Sequence, residues 1–381
     1  MCAMNRAFGF EPRLGFAMLE RFGGAVELFS ATEDELNEAL GQYCRARYAP
    51  GLSPSAFESA AMELEGLEAE GIRFVCFGET GYPGLLTECE DPPLGLYYKG
   101  VSPPEDVFGG IPAVSVVGTR DISFYGKDWC RRIVGAMSKA PVRPLVVSGL
   151  AIGVDGTAHR AALDEGLPTV AVMATGIDRI YPAVHKELGE RIASTPGCAL
   201  VTDYPPGTEA VRLNFLRRNR IIAGIGRATI LVESKIKGGG MMTARLASSY
   251  GRDLYALPGR VDDPCSQGCN LLIKETLAES IGDPAELVRR MGLGKVGKQD
   301  RMSMESCVES FYKGKESPET VSEISRMARL VHKKRGISLD ELSSELKWSF
   351  SKTSRYAALL ECDGFIEMDL LQHCSAAPGL F

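Results

Sequence analysis

The alternation of apolar and polar segments divides the chain into three parts. From residue 111 onward, six apolar runs end in turn residues and are separated by helix-length segments: AVSVVG, LVVSG, TVAVMATG, ALVTDYP, ATILVES and DLYALPG. Strands of a parallel sheet that helices cover on both faces are apolar throughout. The pattern therefore predicts an α/β fold with a doubly wound, mostly parallel sheet over residues 81–283.

Residues 1–80 carry a helical pattern instead. The segment LGFAMLERFGGAVELF is amphipathic, and Thr32 with Glu35 forms a T-x-x-E capping box that opens a further helix. The Gly-Gly turn is also typical of a helix-hairpin-helix, whereas the acidic stretch EDELNEAL favours a packing unit without phosphate contacts. We predict a small helical domain of this SAM or helix-hairpin-helix-like kind.

The chain after residue 283 has a polar stretch and then a third patterned segment. Residues 284–318 are predicted to be a linker. Residues 319–381 contain two helices around a capping box at Ser338, then the helix SKTSRYAALLE and the strand-like run FIEMD. This order predicts a winged-helix-like domain. Lys352 and Arg355 could face DNA, but the acidic residues around them favour protein docking slightly.

Composition narrows the function classes. The 381 residues are 45% hydrophobic and 24% charged, which is a globular composition. No signal peptide and no apolar stretch of about 20 residues is readable, so we expect a cytoplasmic protein without membrane association. The eleven cysteines form no C-x-x-C pair. Cys265 and Cys269 come nearest to such a pair, and we expect reduced thiols and no metal.

Positive charge is concentrated in one segment. The net charge of −6 argues against a chain coated in nucleic acid. Residues 212–260 nevertheless carry an excess of eight positive charges, because ten basic residues face only Glu233 and Asp253. Solvated surface charge and polyanion binding both fit this segment.

Glycine and polar residues follow the predicted strands. Ligands of such sheets bind beyond the carboxyl ends of the strands, where backbone amides suit oxyanions. The strand ends contribute Gly118-Thr119-Arg120, Ser148-Gly149, Gly176, Asp203, and Glu233 with Gly238-Gly239-Gly240. A G-x-G-x-x-G fingerprint and a P-loop lysine are both missing, so no cofactor is expected. Asp155 is more simply a helix N-cap, and His159 more simply a packed histidine.

The ordered motifs resemble the DNA-processing protein A family (DprA, also called Smf). They are VVGTR, VSGLAIGVDGTAHRAAL, TVAVMATGIDRIYP, DYPPG, NFLRRNRIIAG, VESKIKGGGMMTARLA and LPGR with SQGCNLLI, over roughly residues 80–280. The resemblance implies a Rossmann-like core that binds single-stranded DNA and is not an enzyme. It also implies a homodimer that protects incoming DNA and loads the RecA recombinase in natural transformation.

The resemblance assigns DNA-binding roles to individual positions. Arginines would bind phosphates, glycine amides would allow close approach, neutral side chains would donate hydrogen bonds, and one tyrosine would stack on a base. These residues are Gly118, Thr119, Arg120, Ser148, Gly149, Tyr181, Lys186, Arg217, Arg218, Asn219, Arg220, Gly239, Gly240 and Thr243.

Two other functions stay open at this point. The phosphate-ready turns and Glu233 would also suit an enzyme that acts on a nucleotide or phosphoribosyl substrate. A docking scaffold that acts through the terminal segments is the third hypothesis. Loss of turnover in Glu233→Gln would distinguish the enzyme from the DNA-binding protein.

Overall fold

The computed structural model describes residues 1–48, 51–294, 304–334, 336–369 and 372–376. The chain folds into two compact units, Met1–Gly297 and Lys298–Phe381. None of the described helices is long and apolar enough to cross a bilayer.

The first unit consists of a sheet with helices on both faces and further helices at its start. Its strands are β1 (Ile72–Cys76), β2 (Gly95–Lys99), β3 (Ala113–Val117), β4 (Leu145–Ser148), β5 (Thr169–Val172), β6 (Ala199–Thr202), β7 (Ala228–Leu231), β8 (Asp253–Ala256) and β9 (Glu279–Ser280). Its helices are α1 (Cys2–Phe8), α2 (Pro12–Phe22), α3 (Ala25–Phe29), α4 (Glu33–Tyr48), α5 (Pro54–Ala69), α6 (Gly84–Thr87), α7 (Pro104–Phe108), α8 (Phe124–Ser138), α9 (Val154–Asp164), α10 (Lys186–Ser194), α11 (Arg212–Ile225), α12 (Gly239–Ser249), α13 (Gln267–Lys274) and α14 (Pro284–Arg290).

The strand order creates one topological switch point. In the described residues the order is β1-β2-β6-β5-β4-β3-β7-β8-β9. The strands from β6 to β9 in this order are parallel, and β1 and β2 join antiparallel at the edge. The chain moves outward from β3 to β6 and returns to β7 beside β3, so the switch point lies between β3 and β7. The doubly wound, mostly parallel sheet is confirmed.

Continuous apolar runs form the central strands because both faces of the sheet are covered. Every residue of β3, β4 and β5 is buried. On one face, Val116 packs in a cluster with Ile133 of α8 and Ala158 of α9. On the other face, Val147 packs in a cluster with Ile222 of α11. Burial of each such aliphatic side chain contributes about 1.5–3 kcal/mol.

The N-terminal helices share their core with the sheet. Met4 and Phe8 belong to the same apolar cluster as Tyr97 of β2 and Leu200 of β6. Asn5 also donates a hydrogen bond from Nδ2 to the backbone oxygen of Asp203, the residue after β6, at 2.7 Å. The segment predicted to be helical, residues 1–80, contains helices as far as Ala69, with the capping box of Thr32. Its end is instead strand β1, which pairs with β2, and its helices lie in one compact unit with the sheet.

The segment predicted as a linker contains helices. Asp283 caps α14 through its carboxylate, Pro284 takes the first helical position, and Leu287 and Val288 are buried against the sheet. The cap and the buried pair explain why this part of residues 284–318 is ordered. Residues 295–303 lie outside the described part of the chain.

The second unit has the element order of a winged helix. It contains α15 (Met304–Tyr312), α16 (Pro318–Lys333), β10 (Ile337–Ser338), α17 (Leu339–Leu346), α18 (Phe350–Cys362), β11 (Ile366–Met368) and β12 (His373–Ala376). The strands form an antiparallel sheet in the order β10-β12-β11. The predicted capping box is present: Glu341 N–H donates to Ser338 Oγ at 3.3 Å, and Ser338 N–H donates to Glu341 Oε2 at 3.0 Å.

Candidate functional site

A cleft of about 870 Å³ opens at the switch point of the sheet. It lies beyond the carboxyl ends of β3 and β7, where a doubly wound sheet binds its ligands. One wall is α11, and another is the start of α12. The lining includes nine predicted site residues: Gly118, Thr119, Arg120, Tyr181, Arg218, Asn219, Gly239, Gly240 and Thr243.

Two glycines bring the backbone of α12 against the end of β3. A Cβ on Gly240 would lie 3.0 Å from the Cα of Gly118. A Cβ on Gly118 would lie 2.8 Å from the backbone oxygen of Glu233. Gly238 precedes α12 and offers no side-chain cap, so the first amides of this helix are left for a ligand. A helix N-terminus of this kind favours an anion.

A cation and two aromatic rings line one side of the cleft. The Arg120 guanidinium lies 4.8 Å from the centre of the Phe215 ring. Tyr181, 44% exposed, approaches the same ring edge-on at a centroid distance of 5.6 Å. Phe215 is half-buried, so Tyr181 is the more accessible of the two rings. Accessible aromatic rings beside a cation suit base stacking next to phosphate binding. Phe215 was not predicted as a site residue, although its place in the NFLRRNR motif was a usable signal.

Three further cations line the cleft that were not predicted individually. Arg212, Lys235 and Lys237 are exposed, and none of them forms an ion pair with a carboxylate among the described residues. All three belong to the basic segment 212–260, so the excess of positive charge was the signal that could have found them. Together with Arg120, the cleft thus has four exposed cations that form no ion pair among the described residues and can bind a ligand.

Arg218 has a structural role at the floor of the cleft. It is 3% exposed, and its Nη1 donates to the backbone oxygen of Gly149 at 2.6 Å and to that of Val172. Burial lowers the pKa of Arg218 to about 10, against the opposing effect of Asp155. Burial likewise raises the pKa of Asp155, and the charge of Arg218 opposes this shift. Arg218 therefore fixes the turn after β4.

The turn after β4 is held by two more buried groups. Ser148 donates from Oγ to the backbone oxygen of Val116 at 2.6 Å. Leu150 has a left-handed φ of 59°, and its oxygen accepts a hydrogen bond at 2.9 Å from Nδ1 of the buried His185. Ser148 and Gly149, both predicted site residues, thus lie beneath the cleft and outside its lining.

Three other predicted site residues lie away from the cleft. Arg220 is buried, with its Nη2 2.6 Å from Asp203 Oδ2. Arg217 lies over the Phe10 ring at 4.5 Å. Lys186 is exposed on α10 beside Glu190, at 3.9 Å. The positions of α11 that line the cleft include Phe215, Arg218 and Asn219. Because a helix turns by about 100° per residue, Arg217 and Arg220 leave the helix on other sides.

Glu233 binds Ser123, the N-cap residue of α8. Its carboxylate is 1% exposed and accepts hydrogen bonds from the Ser123 N–H at 2.9 Å and the Ser123 hydroxyl at 2.5 Å. A Cβ on Gly126 would lie 2.5 Å from Glu233 Oε2, so the first turn of α8 covers this carboxylate. These contacts anchor α8 beside the cleft, and Glu233 is not among the residues that line it.

The fold and the cleft define a class: a doubly wound α/β protein whose switch point carries cations, helix amides and two aromatic rings suited to a nucleic-acid strand. Residues 73–292 match the model of the family described as DNA recombination-mediator protein A. The chain belongs to this family, as the sequence motifs predicted.

Individual relatives agree with this assignment. The chain is 39% identical over 227 residues to the DNA processing protein DprA of Streptococcus pneumoniae, covering 58% of this chain and 77% of that protein. It is 38% identical over 229 residues to the protein Smf of a Synechocystis strain, covering 60% of this chain and 56% of that protein. The match thus spans little more than half the length of the Synechocystis relative.

Two solved structures share the fold. The DprA structure from Streptococcus pneumoniae has a TM-score of 0.64 at 28% identity and covers 75% of this chain and 95% of that one. A DprA structure from Helicobacter pylori, described for its single-stranded DNA binding mode, has a TM-score of 0.51 at 26% identity. It covers 57% of this chain and 95% of its own.

Proposed function

We propose that this chain binds single-stranded DNA in the cleft at the β3–β7 switch point. Arg120, Arg212, Lys235 and Lys237 bind phosphates together with the first amides of α12, and Tyr181 and Phe215 stack on bases. The observation that carries the proposal is the Arg120 guanidinium over the Phe215 ring, in a cleft with three further unpaired cations. Stacking and phosphate contacts both tolerate any base sequence.

We further propose a role as a mediator of recombination in the cytoplasm. The chain acts as a homodimer that protects incoming DNA and loads the RecA recombinase during natural transformation. The description of its family and the DNA-processing names of its relatives support this role. RecA-dependent strand exchange on DNA coated with single-strand-binding protein should start sooner when the chain is added.

The proposal includes no catalytic step. The acid that an enzyme on nucleotides would use, Glu233, is engaged by Ser123 at the start of α8. Product release from a panel of nucleotides by the pure protein, together with its loss in Glu233→Gln, would contradict this part of the proposal.

Substitution of Arg120 by alanine tests the cleft. We expect about 10- to 100-fold weaker binding of a fluorescent oligothymidylate, because a charged hydrogen bond of about 1.5–3 kcal/mol is lost. The slope of log K against log salt should also become shallower by about 0.7 for each cation removed. Fluorescence anisotropy at several salt concentrations measures both.

Lys186→Ala is the matched control, because it removes one exposed cation outside the cleft. It should leave the affinity unchanged. Equal or tighter binding of a duplex by the wild type, or equal losses in the two variants, would contradict binding in the cleft.

A further inference from the structure

A second groove lies between α8 and α9, on one face of the sheet. It has a volume of about 470 Å³ and does not share residues with the cleft. Its lining includes three basic residues, Lys127 and Arg131 from α8 and Arg160 from α9.

The three cations are exposed and lack a carboxylate partner among the described residues. Their charged neighbour Arg132 is different, because its Nε lies 2.8 Å from Asp128. Lys127 and Arg131 are four residues apart and so lie on the same face of α8.

The two acids of the groove are already engaged. Asp164 Oδ1 lies 3.0 Å from Nη2 of Arg191, and Glu165 accepts a hydrogen bond from the Ser138 hydroxyl at 3.0 Å. Asp164 is the last residue of α9 and Glu165 follows it, so both lie at the end of the groove farthest from the cleft. The groove therefore has a positive half towards the cleft.

The two helices that line the groove both start beside the cleft. Val154, the first residue of α9, donates its N–H to the backbone oxygen of Thr119 at 3.1 Å. A Cβ on Gly153 would lie 2.6 Å from the backbone oxygen of Arg120. The turn that carries the cleft residues Thr119 and Arg120 is thus in direct contact with the start of α9, and the same turn leads into α8.

We infer that this groove binds the phosphates of the same DNA strand after it leaves the cleft. The inference rests on the proposed function and assigns Lys127, Arg131 and Arg160 as accessory phosphate contacts. A single strand carries a charge at every nucleotide, so an exit path needs cations that protein carboxylates do not already neutralise. The three residues meet this requirement on the two helices that start beside the turn of Thr119 and Arg120.

A triple variant, Lys127→Gln with Arg131→Gln and Arg160→Gln, tests the inference. For an oligothymidylate of about 20 nucleotides, the slope of log K against log salt should become shallower by about 2, which is about 0.7 for each of three cations. An oligothymidylate of about 6 nucleotides should occupy the cleft without reaching the groove. For this short strand, the triple variant should have the same affinity and the same salt slope as the wild type.

The control variant removes the same charge elsewhere: Arg73→Gln, Lys139→Gln and Lys274→Gln, all exposed and outside both the cleft and the groove. It should bind both oligonucleotides as the wild type does. Equal thermal midpoints of the two triple variants establish that both are folded.

The outcomes separate the groove from the cleft. A wild type that does not bind single strands would overturn the proposed function and the inference with it. If the wild type binds single strands and both triple variants lose the same affinity for the long oligonucleotide, the inference about the groove is wrong and the proposed function stands. The inference is also wrong if the groove variant loses the same affinity for the short and the long oligonucleotide, because a change in the overall electrostatic field affects both alike. A loss confined to the long oligonucleotide and to the groove variant supports the inference.

Discussion

Arg120 and Arg218 line the same cleft, but Arg120 is exposed to solvent and Arg218 is buried. Arg120 is exposed over an aromatic ring and keeps its donors for a ligand. Arg218 has lost its hydration and donates to two backbone oxygens, which compensate part of the cost of burial. A ligand phosphate can replace water at Arg120, whereas at Arg218 it would have to compete with the turn after β4.

His159 gives the fold a dependence on pH. It is fully buried, with Nδ1 2.8 Å from Thr169 Oγ1, and burial lowers its pKa to about 3, with the nearby charges of His185 and Arg218 acting in the same direction. Below about pH 6.5 the unfolded chain binds a proton that the folded chain excludes. The free energy of unfolding should therefore fall with decreasing pH, by up to about 1.4 kcal/mol per pH unit from this group.

Urea unfolding between pH 7 and pH 4 measures this effect. His159→Gln should show a shallower loss of stability with falling pH than the wild type does. Identical pH slopes for the wild type and His159→Gln would contradict the assignment.

The sequence identified the individual cleft residues only in part. Gly118, Thr119 and Arg120 follow a strand whose end is readable from its apolar run, so their place was predictable. Arg217 and Arg220 share a motif with Asn219, but the side of α11 that faces the cleft depends on how the helix packs. Neither periodicity nor charge contains that information.

At the scale of elements, the contact between β3 and α12 forms the centre of the cleft. Gly240 and Gly239 are neighbours at the start of α12 in very different surroundings. A Cβ on Gly240 meets the backbone of Gly118, whereas a Cβ on Gly239 meets nothing within 4 Å. Only one of the two positions requires glycine for close approach of the backbone.

Alanine substitution at these positions should separate them. Gly240→Ala should lower the free energy of unfolding by about 1–3 kcal/mol, because α12 must move away from β3. Gly239→Ala should leave it within about 0.5 kcal/mol of the wild type, since the new methyl group occupies open space. Chemical denaturation measures both, and equal losses would contradict the tight contact.

The predicted elements differ in how strongly their own residues determine them. Six of the seven described parallel strands, β3 to β8, were predictable because strands buried on both faces are apolar throughout. The edge strand β1 was not, since only Ile72 and Val75 of its five residues are buried and it closely follows a helical segment. Its pairing with β2, and that of β2 with β6, depends on contacts distant in sequence.

At the scale of the whole molecule, only the first of the two units contains the residues proposed to bind DNA. All the residues of the cleft and of the α8–α9 groove belong to the first unit. The N-terminal helices belong to it as well, because Met4 and Phe8 share a core with Tyr97 and Leu200.

A chain of residues 1–294 should therefore fold and bind oligothymidylate within about twofold of the full chain, because a compact unit with its own core can fold alone. A chain of residues 81–294 should fail to fold, because it exposes Tyr97 and Leu200 and lacks β1. Circular dichroism and anisotropy compare the two. A folded, DNA-binding 81–294 chain would show that the shared core is dispensable.

The shared core also constrains how the protein is made. Asn5 finds its hydrogen-bond partner at Asp203, 198 residues later in the chain. At about 5–20 residues per second, the ribosome needs roughly 10–40 s to synthesise that interval. During this time Met4 and Phe8 lack the β6 side of their core, so their apolar surface stays open to other contacts until β6 has been synthesised.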